Sequence, residues 1–128
     1  MLIEGLYDIL TTTTLSEEND STVAVHLNKE HELFKGHFPE NPVLPGVVML
    51  QIIKELSEKQ LQKKLFLKAA SNVKFLAPVD PGVNSKLILK LHIQQDNGFI
   101  KVKNQTTFED GTIVLKCNVT FVELNVIL

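Results

Sequence analysis

Residues Phe34 to Gln51 read FKGHFPENPVLPGVVMLQ: a histidine, then a proline-rich loop, then an apolar run. His37 stands between a glycine and a phenylalanine, and three prolines and a glycine occur within the next nine positions. Each proline fixes φ and removes a backbone donor, so the loop is predicted to be stiff and to hold the histidine in place. Pro45 suits a helix start, because its missing N–H would have no partner inside the helix. The stretch therefore predicts a histidine held beside a helix N-terminus.

The run from Gly46 to about Leu65 is the predicted helix. Its apolar positions broadly follow helical spacing; they are Val47, Leu50, Ile53, Leu56 and Leu61. The charged positions are predicted to form the solvated face; they are Lys54, Glu55, Glu58 and Lys63. Gly46 would begin this helix, where free N–H groups and the positive end of the helix dipole favour a polarised or negatively charged oxygen.

The rest of the chain is typical of β-structure. The predicted strands are Leu6 to Leu15, Thr22 to Leu27, Leu67 to Leu76, Lys86 to Gln95, Phe99 to Phe108 and Thr112 to Leu124. Turns are expected at PVDPG, DNG and EDG, and a short helical turn between Asn28 and Lys35. Two strands, one long helix and four strands in hairpin succession predict one α+β domain over residues 1–128, an antiparallel sheet of five to six strands around a central helix.

Composition and sequence patterns argue against several classes of function. The 128 residues are 44% hydrophobic and 22% charged with a net charge of −2, which gives nucleic-acid binding no electrostatic support. No apolar run approaches the roughly 18 residues of a membrane span, and the N-terminus lacks a basic leader, so the expected location is cytoplasmic. No cluster of His, Cys, Asp and Glu has metal-ligand spacing and no glycine-rich loop follows a strand, so neither metal nor cofactor is expected. Cys117 lies in an alternating run and is predicted to be buried, and His26, His31 and His92 to be structural or exposed.

Nine residues of the opening stretch match the GHFPxxPVxPGV signature of the β-hydroxyacyl-acyl-carrier-protein dehydratases, at the same spacing. They are Gly36, His37, Phe38, Pro39, Pro42, Val43, Pro45, Gly46 and Val47. The family's strand with a following proline–glycine turn is similar to the run Val73 to Gly82. Nine fixed residue types at fixed spacing are a specific signal. The chain therefore resembles this family over nearly its full length, and the resemblance implies the hot-dog fold.

The resemblance implies a hydro-lyase that removes water from a 3-hydroxyacyl thioester and leaves a trans-2-enoyl thioester. His37 would be the base, since an imidazole with a pKa near about 6.5 can take the α-proton at neutral pH. The Gly46 N–H would stabilise the negative charge on the thioester oxygen. The neighbouring residues predicted to contact the substrate are Phe38, Pro39, Val43, Pro45 and Val47.

Gln51 departs from the family pattern, which has an acidic residue fourteen positions after the histidine, acting across the dimer interface. An amide can hold the hydroxyl or a water, but it cannot deliver a proton. Three alternatives for the missing acid stay open. Glu55, one turn further along the helix, would replace it; His37 would return its own proton through a water held by Gln51; or a paralogous subunit of a mixed dimer would supply it.

Three functions are compatible with these residues. The first is the dehydratase, in fatty-acid or related polyene synthesis; the second is a non-catalytic acyl-thioester-binding or partner subunit; the third is a thioesterase, which the same fold supports. The implied partners are an acyl-carrier-protein or coenzyme A thioester and a second subunit, in a homodimer or a larger even-numbered assembly. Lys63, Lys64 and Lys68 form a local patch that could receive an acidic carrier.

Overall fold

The computed structural model describes residues 4–35 and 42–124. The elements in these residues are β1 (Tyr7–Thr12), β2 (Asp20–Leu27), a 3₁₀ helix (Glu32–Phe34), α1 (Gly46–Leu61), β3 (Leu65–Phe75), β4 (Lys86–Asp96), β5 (Phe99–Phe108) and β6 (Ile113–Glu123). The six strands form one sheet in the order β1-β2-β4-β5-β6-β3. Every neighbouring pair is antiparallel, and β1 and β3 are the two edges. The predicted α+β class and the six-stranded sheet with one long helix are confirmed.

The helix α1 packs against one face of the sheet. Its buried apolar side chains belong to a single core with the inward residues of the strands; they are Val48, Met49, Ile52, Ile53 and Leu56. Strand β4 shows the alternation that such packing requires, because every second residue from Leu87 to Ile93 is buried. Each fully buried Leu or Ile side chain stabilises the fold by about 1.5–3 kcal/mol relative to exposure, so this core holds the helix on the sheet.

The hairpin turns lie where glycine and asparagine predict them. Asn97 and Gly98 both have positive φ, 50° and 83°, between β4 and β5. A two-residue turn of this hand matches the twist of the strands it joins. Gly111 has φ of 92° between β5 and β6, and the 3₁₀ helix accounts for the predicted turn before Lys35.

The helix differs from its prediction first at its end. The helix ends at Leu61 rather than at Leu65, because Gln62 adopts the left-handed conformation. The Glu58 carboxylate then accepts the N–H of Leu65 at 2.9 Å, and Leu65 is buried as the first residue of β3. Val47 is the second difference: it is 74% exposed, so the buried stripe runs through the neighbouring positions instead.

Candidate active site

The described part of the proline-rich loop is anchored at the helix start. Leu44 is buried, and its N–H donates to the carbonyl of Val79 at 2.8 Å. Pro45 is extended, with φ −62° and ψ 144°, and precedes the first helical residue as predicted. His37, Phe38 and Pro39 lie outside the described residues, so their roles stay predictions.

Gly46 is the first residue of α1, and an aromatic ring lies against it. A Cβ at this position would fall 2.5 Å from Cζ of Phe75, closer than real Cβ atoms approach other atoms, so the contact requires glycine. Among the described residues, no hydrogen bond occupies the Gly46 N–H. A backbone donor at a helix N-terminus is suited to a carbonyl oxygen.

An apolar depression of about 430 Å³ adjoins this helix start. Its lining includes Val43, Pro45, Gly46, Met49, Phe75 and Leu76. Three of the predicted site residues, Val43, Pro45 and Gly46, are thus brought together around one cavity. Such a surface can receive an acyl thioester, with apolar walls for the chain and one N–H for its carbonyl.

Val47, Gln51 and Glu55 lie at successive i, i+4 positions and so share one stripe of α1. Burial increases along this stripe: Val47 is 74% exposed, Gln51 is half-buried and Glu55 is 4% exposed. The stripe is therefore open beside the helix N-terminus and closed two turns later. Gln51 itself does not line the depression beside Gly46.

Glu55 accepts two hydrogen bonds, one at each carboxylate oxygen. The Tyr7 hydroxyl of β1 donates to Oε1 at 2.7 Å, and Nε2 of Gln51 donates to Oε2 at 3.1 Å. Burial raises the pKa of Tyr7 far above its ordinary value, and the hydrogen bond to Glu55 and the nearby carboxylates of Glu55 and Glu58 raise it further. Tyr7 therefore stays a neutral donor at all pH values at which the protein would work.

The prediction that Glu55 lies on the solvated face is wrong. The error came from the assumed stripe, which placed Val47 inside; the buried stripe instead includes Val48, Ile52 and Glu55, at i, i+4 and i+7. That spacing was visible in the sequence. The hydroxyl partner was not visible, because Tyr7 is 48 residues away and reaches Glu55 only through the packing of β1 on the helix.

Cys117 and the histidines outside the motif are buried, structural or exposed, as predicted. Cys117 is buried, and burial raises the pKa of its thiol to about 11, so it is not a nucleophile at neutral pH. His31 accepts the Leu33 N–H at Nδ1 and contacts the Glu4 carbonyl through Nε2 at 2.9 Å, which fits the neutral tautomer that is protonated on Nε2. His92 pairs with Asp20 at 2.8 Å, and His26 is exposed.

A separate concavity of about 640 Å³ lies on the sheet and contains none of the predicted site residues. Residues 4–35 and 42–124 include no cluster of three or more His, Cys, Asp or Glu side chains that could hold a metal ion. In the same residues, no helix has the length and apolarity to cross a bilayer.

Comparison with known proteins gives the family. The family model of the ApeI-like dehydratases matches residues 13–114. The chain belongs to the ApeI-like dehydratases. The 3-hydroxyacyl-acyl-carrier-protein dehydratase FabZ of Lactococcus lactis subsp. cremoris is 32% identical over 94% of this chain and 83% of its own. The FabZ of Lactobacillus helveticus is also 32% identical, over 94% and 87% of the two chains. The dehydratase family that the GHFPxxPVxPGV motif predicts is thus confirmed.

Solved structures agree with the fold of this ApeI-like chain. The dehydratase heterocomplex ApeI:P from Xenorhabdus doucetiae superimposes with a TM-score of 0.74 at 19% identity, over 90% of this chain and 96% of that one. A hypothetical thioesterase with coenzyme A from Streptococcus pneumoniae has a TM-score of 0.62 at 13% identity, over 93% and 86%. At these identities the likeness establishes the hot-dog fold alone.

Proposed function

We propose that this ApeI-like protein is a 3-hydroxyacyl thioester dehydratase, which converts its substrate into a trans-2-enoyl thioester and water. The observation that carries the proposal is the position of Gly46, whose N–H stands at the helix start in the lining of the apolar depression and has no hydrogen-bond partner among residues 4–35 and 42–124. A thioester carbonyl at this N–H would be polarised, which acidifies the neighbouring α-carbon. The family membership and the FabZ relatives support the same reaction.

His37 is the proposed base. Its imidazole takes the α-proton while the Gly46 N–H stabilises the charge on the thioester oxygen. The electron pair of the broken C–H bond then forms the double bond as the C–O bond to the 3-hydroxyl breaks. The imidazolium returns its proton to the departing hydroxyl, so water leaves and His37 is neutral again.

This route does not need an acid at Gln51. The structure favours it over a direct role for Glu55, because both oxygens of that carboxylate already accept hydrogen bonds and the side chain is 4% exposed. Gln51, half-buried on the open part of the stripe, would hold the 3-hydroxyl or a water. A mixed dimer is the alternative source of an acid.

Assembly through β3 completes the proposal. This edge strand is exposed along almost its whole length and carries exposed apolar side chains, including Phe66, Leu67 and Phe75. The N–H and C=O groups along an apolar edge strand can form hydrogen bonds with a strand of another subunit. A second subunit on this edge would also approach the open stripe of Val47 and Gln51. We therefore propose a homodimer, or a larger even-numbered assembly. From its likeness to the FabZ relatives we propose separately that the protein works in the cytoplasm.

The carrier is proposed to be an acyl carrier protein, since the FabZ relatives are named for it, with coenzyme A as the alternative. Two lysines of the predicted docking patch have neighbours among the described residues. Lys63 pairs with Glu123 at 3.7 Å, and Lys68 lies 5.9 Å from the centre of the Phe99 ring. Lys64 is the remaining exposed member of the patch.

The second candidate is a non-catalytic partner subunit, favoured by Gln51 at the acid position and by the ApeI:P structure, which is named a heterocomplex. Purified protein incubated with 3-hydroxyacyl and trans-2-enoyl thioesters, and followed by mass spectrometry, separates the candidates. Interconversion supports the dehydratase, free acid the thioesterase, and unchanged thioester the partner subunit. His37→Ala should abolish interconversion and leave the fold intact; activity retained within a few fold would contradict the base.

A further inference from the structure

We propose that Glu55 and Tyr7 are positioning residues that orient the Gln51 amide, so that its carbonyl oxygen accepts a hydrogen bond from the substrate's 3-hydroxyl. This inference rests on the proposed dehydratase function. It gives a role to the buried Glu55 carboxylate, which takes no direct part in the proposed elimination.

The orientation follows from what each group can donate. Tyr7 is a neutral hydroxyl whose proton goes to Oε1 of Glu55 at 2.7 Å. The other carboxylate oxygen, Oε2, accepts from Nε2 of Gln51 at 3.1 Å, so the NH₂ of the amide, and not its carbonyl, faces Glu55. The Gln51 carbonyl oxygen, on the opposite side of the amide, is therefore turned away from Glu55.

The hydrogen bonds also explain how the carboxylate is tolerated inside the fold. Glu55 is 4% exposed, and within residues 4–35 and 42–124 no lysine or histidine forms an ion pair with it. A buried carboxylate needs hydrogen-bond donors, and Tyr7 and Gln51 are the two that it has in this part of the chain. A leucine would satisfy packing at this position without either donor.

The orientation of the Gln51 amide has a consequence for how the 3-hydroxyl is held while it is protonated. A 3-hydroxyl that donates its O–H to the Gln51 carbonyl keeps the lone pairs of its oxygen available to accept a proton. In the proposed reaction that donor is the His37 imidazolium. Gln51 would thus orient the leaving group, and the proton would still come from His37.

The first test is independent of turnover. The side-chain NH₂ signals of Gln51 in ¹⁵N-labelled protein are assigned by their loss in Gln51→Leu. We expect Glu55→Leu to move them to the position of a solvent-exposed glutamine and to speed their exchange with water. Glu58→Gln is the matched control, a carboxylate of the same helix whose partners are Lys54 and Leu65, and it should leave the signals in place.

The second test is a double-mutant cycle. Glu55→Leu should lower kcat by about 10- to 100-fold with little change in KM, and Glu55→Gln, which keeps an acceptor oxygen for Gln51, should restore most of it. In a Gln51→Leu background, Glu55→Leu should have almost no further effect, because Glu55 acts through Gln51. If Glu55→Leu fails to fold because the Tyr7 hydroxyl loses its acceptor, Tyr7→Phe/Glu55→Leu removes both polar groups and serves instead.

The outcomes separate the two proposals. Unchanged Gln51 signals in Glu55→Leu, or kcat losses that multiply in the double variant, would overturn the positioning role and leave the dehydratase standing. The Gln51 signals could instead depend on Glu55 while the wild-type protein shows no turnover. That result would refute the dehydratase function, and with it a role of the Gln51 carbonyl in catalysis.

Discussion

At the scale of single residues, the question is what Gln51 does in place of an acid. Gln51→Glu would put a carboxyl next to Glu55, at a position where Nε2 now lies 3.1 Å from Oε2. Partial burial and the neighbouring carboxylate both raise the pKa of the introduced carboxyl, so it would keep a proton near neutrality.

If proton delivery limits the rate, Gln51→Glu should raise kcat by about 10²-fold or more, in keeping with the 10²–10⁴ typical of general-acid assistance. The gain should be largest at low pH and should fall as pH rises through the pKa of the new acid. Measuring kcat with one 3-hydroxyacyl thioester from pH 6 to pH 9 checks this, with Gln51→Leu as the control. A neutral or harmful Gln51→Glu together with a strongly harmful Gln51→Leu would instead support the orienting role.

Tyr7 permits a second prediction at this scale, because it is the only tyrosine and the chain has no tryptophan. Its folded pKa is raised by burial and by Glu55, so its ultraviolet absorbance should show no phenolate at pH 10, whereas unfolded protein titrates near about pH 10. The raised pKa adds stability that is complete below the unfolded pKa and is lost as pH rises toward the folded one.

Tyr7→Phe should accordingly lose less stability between pH 9 and pH 11 than the wild type, as measured by urea unfolding. Glu55→Leu, which removes the acceptor, should bring the absorbance titration to lower pH. A native tyrosine that ionises at the same pH as the unfolded chain would contradict the buried Tyr7–Glu55 hydrogen bond.

At the scale of elements, the contact between β3 and the start of α1 makes the site. The Phe75 ring occupies the place where a side chain at position 46 would project. Phe75 is 52% exposed and so its ring can swing outward. Gly46→Ala should therefore cost about 1 kcal/mol or less of stability, but it should displace the ring that lines the depression.

We expect kcat/KM of Gly46→Ala to fall by about tenfold or more, since the carbonyl position depends on that wall. Thermal unfolding and thioester kinetics measured on the same preparation check both parts. Phe75→Ala/Gly46→Ala is the informative control, because removal of the ring should relieve the clash. Full activity in Gly46→Ala would mean that the substrate does not approach the helix start.

At the scale of the whole molecule, the exposed β3 edge predicts a dimer. Ala69→Lys/Ala70→Lys places two cations at exposed positions in the middle of this edge. Across a twofold axis the four like charges would repel, so the dimer should weaken by at least tenfold. Light scattering at micromolar concentration measures the effect. The same double lysine change on the other edge, Leu10→Lys/Thr11→Lys, should leave the assembly unchanged.

A wild-type monomer at that concentration would count against the dimer and against any site completed by a second subunit. If the β1 variant dissociates the assembly and the β3 variant does not, the dimer forms through the opposite edge of the sheet. Activity measured alongside shows whether the stripe of Val47 and Gln51 needs a partner.

The order of elements, the hairpin turns and the helix start were all predictable from the sequence, because each depends on residues close together in the chain. Alternation predicts the strands, Asn97 and Gly98 predict the turn between β4 and β5, and Pro45 predicts the beginning of α1. The motif around His37 likewise predicts the dehydratase family, because its nine residues are contiguous or nearly so. The predicted end of the helix was wrong, because the Glu58 carboxylate that accepts the Leu65 N–H acts between two elements.

Glu55 marks the limit of that reasoning. Helical spacing could have put it on the buried side, but its hydrogen-bond donor is Tyr7, 48 residues earlier in the chain. Phe75 and Gly46 are likewise brought into contact by the fold and not by any local pattern. Sequence alone thus determined the fold and the family, since both rest on local periodicity and spacing. Only the tertiary structure decided which side chains surround Gln51, because long-range packing selects the donors and acceptors that meet.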